Sequence, residues 1–548
     1  MTDWQRHRKA FDALIEAGSK LAKGKFVEVH DATRLMETVI RPGDRVCLEG
    51  DNQKQADTLC GALLAVDTGK VNNLHMVQSG VVLAEHLDLF DRGVATKLDY
   101  AYSGPQSARI AQMLFGGKIE LGAVHTYLEL FARYFIDLTP HVALIAAVSA
   151  DRDGNLYTGP NTEDTPTVVE ATAFKNGIVI AQVNEIVDKL PRVDIPTDRV
   201  HFIVKAEKPF FVEPLFTRDP AAITEGQILT AMLAIKGIYA PYGVRRLNHG
   251  IGFSTAAIEL LLPTFGEKLG LKGKIASHFA LNPHPALIPA IESGWVEQIH
   301  SFGSEVGMDD YIRARSDIYF TGSDGSLRSN RAFCQVAGLY ACDMFIGSTL
   351  QIDLQGNSST VTTSRIAGFG GAPNMGADAR GRRHPSAPWL QAGRESDPTA
   401  SARLRRGRKL VVQIGETFGD KNVPLFVERL DALELAEKLN LDLAPVMIYG
   451  DDVTHIVTEE GIANLLQCRD ANEREQAIRG VAGYTEVGRG RDKNMVQRLR
   501  ERGVIRRPED LGIDPLDADR SMLAAHSIKD LVRWSGGLYA PPSKFRNW

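Results

Sequence analysis

Two glycine-rich turns in the second half of the chain hold the residues best suited to handling a negative charge. The first is Asn248-His249-Gly250-Ile251-Gly252-Phe253-Ser254, set between a short apolar run and a helical pattern. The second is Gly368-Phe369-Gly370-Gly371-Ala372-Pro373-Asn374-Met375-Gly376-Ala377, which follows the polar run QGNSSTVTTSR. Glycine lets the backbone enter left-handed conformations and approach a ligand closely. Successive exposed N–H groups then bind an anion or the oxyanion of a tetrahedral intermediate. Neither turn is specific alone. The first lacks the GxGxxG spacing of a dinucleotide site, and the second does not open on a buried strand. No GxxxxGK run followed by Ser or Thr is present, so ATP is not indicated. No HxxxH pair or carboxylate–histidine cluster lies at ligand spacing, so no metal site is expected.

Such turns need elements to aim them. Short apolar runs alternate with longer segments of helical period. Arg45–Glu49, Leu74–Gln78, Val142–Val148 and Ile178–Val183 read as strands, with helices at Lys54–Val66 and Val81–Leu89 between them. The runs VALIAAV and IVIAQV are apolar on both faces, the mark of a parallel sheet covered by helices. After a proline- and charge-rich stretch from Asp194 to Pro220, Ala221–Tyr239 reads as a helix and the alternation restarts. Strands are expected at Leu247–Gly252, Lys274–Phe279, Ile318–Thr321, Met344–Gly347, Leu410–Ile414 and Pro445–Tyr449, with a helix at Ser254–Leu262. The fold class is therefore α/β: two tandem domains with mostly parallel sheets, at 1–220 and 221–482, and a helical or irregular extension at 483–548. No close internal repeat is visible. The Gly-, Ser-, Pro- and Arg-rich segment Gly376–Arg408 reads as a solvated loop, or as a basic patch for an acidic partner.

Length and composition bound the rest. With 548 residues the chain needs more than one hydrophobic core. A formal net charge of -5 leaves no overall basic field for neutralising phosphates, which excludes a general nucleic-acid binder. The five cysteines form no CxxC pair, so neither a disulfide framework nor a zinc site is expected, and a reducing cytoplasm fits. Cys334 and Cys342 sit in the apolar stretch Ala332–Ile346 and read as small buried hydrophobes. The charged start MTDWQRHRKAFDALIEAG is not a signal peptide, and no run of roughly twenty apolar residues is available to span a bilayer. The expected location is cytoplasmic.

The two turns, with Val457-Thr458-Glu459-Glu460-Gly461-Ile462-Ala463-Asn464 downstream, resemble the family I coenzyme A transferases. Their second domain carries a GxG turn, a GxGG loop and a TE-x-G-[IV]-A motif in that order. VALIAAVSADRDG and VIAQVN are similar to that family's first domain. Within the superfamily the likeness is strongest to malonate decarboxylase alpha subunits, carried by ASHFALNPHPALIPAIESG at Ala276–Gly294 and GFGGAPNMGADARGRRHPSAPW at Gly368–Trp389. The alpha subunit of citrate lyase is the nearer cousin, with a similar ASFAL segment. Ordinary coenzyme A transferases present a glutamate that attacks the thioester. The matching segment here, Ile275-Ala276-Ser277-His278-Phe279, has no carboxylate, and Glu292 and Glu305 do not fit the motif.

The resemblance implies an exchange on a carrier thiol, in which acetyl-S-carrier and malonate give malonyl-S-carrier and acetate. It implies attack by the malonate carboxylate itself, through a mixed anhydride. Gly370 and Gly371 would donate to the oxyanion, Ser277 and His278 would complete the catalytic group, and Gly250 and Gly252 would shape the acyl site. His278, Asn282, His284 and Arg365 are candidates for the far carboxylate of malonate. Phe279 and Asn374 are substrate contacts, Arg365 equally braces the glycine loop, and Glu459 orders that loop. No tightly bound cofactor is implied. The thiol is that of a phosphoribosyl-dephospho-CoA arm on a partner acyl carrier protein, with CoA as an analogue. Further implied partners are decarboxylase subunits of one complex, and a homo-oligomer is possible. The alternatives are a citrate-lyase-like carrier transferase, a free CoA-transferase or acyl-CoA hydrolase, and a non-catalytic carrier-docking subunit.

Overall fold

The computed structural model describes residues 3–50, 54–160, 162–328, 330–377, 409–419, 422–546 and 548. The basic stretch expected between Gly376 and Arg408 lies almost wholly outside them. The chain forms two compact units. One comprises residues 1–214, 322–333 and 363–370, and the other comprises 215–321, 334–362 and 371–548.

The first unit is built on a nine-stranded sheet in the order β1-β9-β8-β6-β2-β3-β4-β5, with β7 added to β6. The strands are β1 Phe26–Val27, β2 Arg45–Leu48, β3 Leu74–Gly80, β4 Ala95–Tyr102, β5 Glu120–Val124, β6 Val142–Asp151, β7 Leu156–Tyr157, β8 Ile178–Val187 and β9 Phe202–Lys205. All pair in parallel except β7, which runs antiparallel to β6. Val142 to Ala147 and Ile178 to Val183 are buried residue after residue. Both faces of these central strands are thus covered, as their unbroken apolar runs require.

The second unit holds an eight-stranded sheet in the order β12-β11-β10-β13-β16-β17-β18-β19. Its strands are β10 Arg246–His249, β11 His278–Leu281, β12 Gln298–Ser301, β13 Met344–Gly347, β16 Leu410–Ile414, β17 His455–Thr458, β18 Gly461–Asn464 and β19 Ile505–Arg506. β14 (Gln351–Ile352) and β15 (Ser358–Ser359) form a separate hairpin. From β12 to β17 every pair is parallel, and β18 and β19 are added antiparallel. β19 comes from the segment that composition sets apart as an extension, so that segment shares this unit's sheet.

Two α/β units with mostly parallel sheets bear out the expected class, and three strands need correction. The strand expected at Lys274–Phe279 begins only at His278, because Lys274 still donates back to Leu271 in a turn and Ala276 is left-handed at φ 52°. Ile318–Thr321 makes isolated bridges in place of a strand, among them Tyr319 to Ile299. Pro445–Tyr449 makes one bridge, because Pro445 has no N–H and the N–H groups of Met447 and Ile448 both go to the Ser358 carbonyl.

Candidate functional site

In a parallel sheet the loops leaving the carboxyl ends of the strands carry the site. In the second unit the first glycine turn leaves β10 there, between β11 and β13. Gly250 is dictated by packing: its N–H donates to the Ile346 carbonyl at 2.7 Å, and a Cβ would lie 2.9 Å from the Gly347 Cα. Helix Phe253–Leu261 starts at once after Gly252. Thr255 Oγ1 ties the turn by donating to the carbonyls of Gly250 (2.6 Å) and Gly252 (3.0 Å). Among the described residues, the N–H groups of Gly252, Phe253 and Ser254 carry no hydrogen bond. They form a cluster of free donors at the positive end of a helix dipole.

Beneath this turn lies a network absent from the sequence reading. Glu259, fully buried on that helix, accepts from Nδ1 of both His249 and His284 at 2.9 Å. Tyr239 OH meets His249 Nε2 at 2.9 Å, and Phe279 packs edge-on to the same ring, with centroids 5.2 Å apart. Burial raises the Glu259 carboxyl, but the His284 and His249 imidazoles outweigh it and hold it at about 2. His284 stacks on Phe216, beside a second buried carboxyl, Glu305. Glu305 accepts from the N–H groups of Phe216 and Thr217 (3.1 Å each) and from the Thr217 hydroxyl (2.7 Å). Burial nevertheless pushes Glu305 up to about 7. Asn282, one residue past β11, is nine-tenths buried, and its Nδ2 has no partner among the described residues. A buried orphan amide donor is costly unless a ligand satisfies it.

The second glycine turn is held differently. Gly368–Gly370 belong to the first unit, where Gly368 and Gly370 are left-handed at φ 75° and 56°. The N–H groups of Phe369 and Gly370 both donate to the Ala101 carbonyl, at 2.7 and 2.9 Å. The Gly370 donor expected for an oxyanion is therefore engaged. Gly371, which belongs to the second unit, has an N–H without a partner among the described residues. Asn374 donates to Gln335 Oε1 at 3.1 Å and fixes the chain after the turn. Arg365 is exposed beside Ser107, its Nε 3.4 Å from Oγ, which is a bracing position.

A family model described as "Malonate decarboxylase, alpha subunit, transporter" matches residues 3–548. The chain belongs to the malonate decarboxylase alpha-subunit family. It is 64% identical over 548 residues to the acetyl-S-ACP:malonate ACP transferase of Malonomonas rubra, covering 100% of this chain and 99% of that protein. A solved Pseudomonas malonate decarboxylase hetero-tetramer in complex with malonate contains a chain 58% identical, with a TM-score of 0.94 and full coverage of both. The alpha subunit of citrate lyase from Streptococcus mutans, at 15% identity, shares the fold alone, with a TM-score of 0.59 over 95% of this chain and 87% of that one.

For this malonate decarboxylase alpha-subunit chain, the remaining sequence candidates divide by sheet edge. Ser277 and His278 enter β11 at its amino end, four to five residues before Asn282, or about 13 Å along the strand at ~3.3 Å per residue. Ser277 Oγ meets His278 Nδ1 at 2.8 Å, and His278 Nε2 lies 4.0 Å from Glu297. The expected catalytic pair is thus not brought to the glycine turn, because the strand begins later than its apolar pattern indicates. Glu459 accepts from the N–H and hydroxyl of Thr417 and orders the turn after β16, not the glycine loop. Among the described residues no group of three His, Cys, Asp or Glu is placed to hold a metal ion, and no helix is long and apolar enough to cross a membrane. Glu259 was the residue missed. Its signal was there in the i to i+10 spacing from His249 across one turn, but that spacing is not a metal or triad signature.

Proposed function

We propose that this chain exchanges acetyl for malonyl on the thiol of an acyl carrier protein, releasing acetate, with the malonate carboxylate as nucleophile. The observation that carries the reaction is the end-to-end match to a transferase named for it. The geometry supports the choice of nucleophile. The two buried carboxylates beneath the first glycine turn are engaged: Glu259 binds two histidines through Oε1, and Glu305 is enclosed by Phe216 and Thr217. Glu459, at the end of β17, is bound to Thr417.

In this mechanism a malonate oxygen attacks the acetyl carbonyl, the C–S bond breaks, and the thiolate leaves from a mixed acetyl–malonyl anhydride. The thiolate then attacks the malonyl carbonyl and acetate departs. One thioester replaces another, so no ATP is consumed. Asn282 Nδ2 and the free N–H groups of Gly252, Phe253 and Ser254 receive malonate oxygens, and the His249–Glu259–His284 network fixes the turn that presents them. The Gly371 N–H is the remaining oxyanion donor of the second turn; one well-aimed donor is worth roughly 10²–10³ in rate. The partner's thiol is that of a phosphoribosyl-dephospho-CoA arm, and the other subunits of the complex carry out decarboxylation.

The test is to incubate the purified chain with radiolabelled malonate and acetylated carrier. Label should reach the carrier thiol and acetate should appear in equal amount. A carrier that stays unlabelled rejects the transferase. Borohydride or hydroxylamine added during turnover should modify no glutamate, and a trapped glutamate would reject the substrate carboxylate as nucleophile.

A further inference from the structure

The second unit contains a cavity of about 200 Å³ that belongs to none of the groups described above. It opens where the helical segment Ile235–Tyr239, which widens to a π-helical turn, passes over β17, β18 and β19. Its apolar lining comes from Pro241, Ile462 and Val504. Polar groups line the same cavity: Tyr242, His455, Asn464, Gln467 and Arg506, with Arg506 directly across the strand pair from Ile462. Asn464 Nδ2 and Tyr242 OH are hydrogen-bonded at 3.1 Å, and Asn464 Oδ1 accepts from the Leu466 N–H, so both side chains are fixed. The Arg506 backbone is fixed too, by pairing of β19 with Ile462 of β18. Its side chain folds back over Gly503, where a Cβ would lie 3.7 Å from both Nε and Nη2.

Arg506 differs from its neighbours Arg500, Arg502 and Arg507. Arg500 pairs with Glu509 and Asp510, Arg502 with Glu473, and Arg507 with Glu460. Arg506 has no acidic partner among the described residues. A half-buried guanidinium lining a cavity, with no counter-ion, calls for an anion. One guanidinium balances one negative charge; a dianion would leave a second charge against apolar walls, which is costly. The volume lies below the roughly 300 Å³ at which ordinary ligand pockets begin, so the ligand is small.

We propose that this cavity binds a short-chain monocarboxylate, with its carboxylate on Arg506 and its alkyl end against Pro241, Ile462 and Val504. Acetate, the product, is the smallest member of that class, and the site would sense it apart from the acyl-transfer site. It lies at the amino ends of the parallel strands, since His455 opens β17 and pairs with Asn464. The glycine turn and Asn282 lie at the carboxyl ends.

The purified full-length chain, held at saturating malonate so that its acyl site is filled, is titrated calorimetrically with butyrate, acetate and inorganic phosphate. Butyrate should bind more tightly than acetate, and phosphate should not compete. Arg506→Gln should weaken butyrate at least tenfold while transfer at low acetate is unchanged, and Arg506→Lys should recover part of the loss. Asn464→Asp keeps the acceptor for the Leu466 N–H but adds a negative charge, and should also abolish binding; it serves if the arginine variant does not fold. In crystals soaked with 3-bromopropionate, the anomalous bromine peak should lie beside Ile462. Butyrate affinity equal in wild type and both charge variants, displacement by phosphate, or a bromine peak elsewhere would each overturn the proposal.

Discussion

The first glycine turn ties down only Gly250 and leaves the N–H groups of Gly252, Phe253 and Ser254 free, whereas the second engages those of Phe369 and Gly370 and leaves only that of Gly371 open. Gly250 stands where β10 and β13 come too close for a Cβ, and the donors of Gly252, Phe253 and Ser254 stay open. Gly368 and Gly370 are there for left-handed backbone, and the N–H groups of Phe369 and Gly370 close on Ala101. Similar spacing thus serves two ends: the first turn presents donors, and the second docks a segment. In the proposed mechanism the substrate anion is received by the first turn, with only Gly371 left to the second.

The largest break in that contrast comes from Gly250→Ala. The added Cβ would meet backbone, not a yielding side chain, so the two strands must part. We expect a loss of ~2–4 kcal/mol in urea unfolding and transfer reduced by more than about 10²-fold, as misplacement near 1 Å does. Full activity in this variant would remove the first turn from the site.

Glu259→Gln comes next. It leaves two buried imidazoles without their shared carboxylate, a change worth ~3–5 kcal/mol. Because the folded value of Glu259 is depressed to about 2, its contribution is present above the ordinary carboxylate range and is lost as pH falls through 2. The gap between wild type and variant should accordingly be wide at pH 7, begin to shrink below about pH 4.5 and close towards pH 2. Glu305 works with opposite sign. Raised to about 7, it stabilises most at acid pH, and that contribution is lost as pH rises through 7. Glu305→Gln should keep, between pH 5 and 8, up to about 3 kcal/mol that wild type loses. Parallel pH–stability curves for wild type and both variants would show that neither carboxyl is perturbed.

Asn282→Ala removes a donor that has no internal partner, so unfolding should change by less than about 1 kcal/mol. The KM for malonate should rise ~10–100-fold with kcat little altered, the signature of lost ground-state binding. An unchanged KM would place malonate elsewhere. Gly370→Ala sharpens the contrast from the other side. Its Cβ has room, 3.5 Å from the Tyr127 ring, and the cost is that of a left-handed alanine, about 1–2 kcal/mol. With its N–H already engaged, kcat should fall only a few fold. A fall of 10²–10³ in a folded variant would restore Gly370 as the oxyanion donor.

What was legible follows from what each signal measures. Unbroken apolar runs such as VALIAAV and IVIAQV can only be central strands, and β6 and β8 are where they were expected. β4 was missed because Lys97 and Asp99 interrupt its apolar pattern, although Asp99 is buried by pairing with His75 and His125. Glycine spacing located both turns but carries no information on where N–H groups go, since their partners, Ala101 and Ile346, are distant in sequence. Asn282 and His284 stood among the candidates only through the family resemblance of the ASHFALNPHP segment. Glu259 was not among them, because a carboxylate on an apolar helix is recognisable only when the histidines that neutralise it are seen beside it.

The smallest expected effect is also the sharpest check on which sheet edge matters. His278 stands out in sequence as an imidazole beside a hydroxyl, and it does meet Ser277 Oγ at 2.8 Å. Burial lowers its imidazole from the usual value, with Glu297 opposing, and it opens β11 at the amino end. A residue there reaches substrate only if the chemistry runs at that edge. His278→Ala should change kcat and the KM for malonate by less than about threefold and cost under ~1 kcal/mol of stability, within the range of part-exposed substitutions. A hundredfold loss of kcat with stability intact would move the active centre to the amino edge. The free donors of the first turn and the orphan amide of Asn282 would then need another explanation.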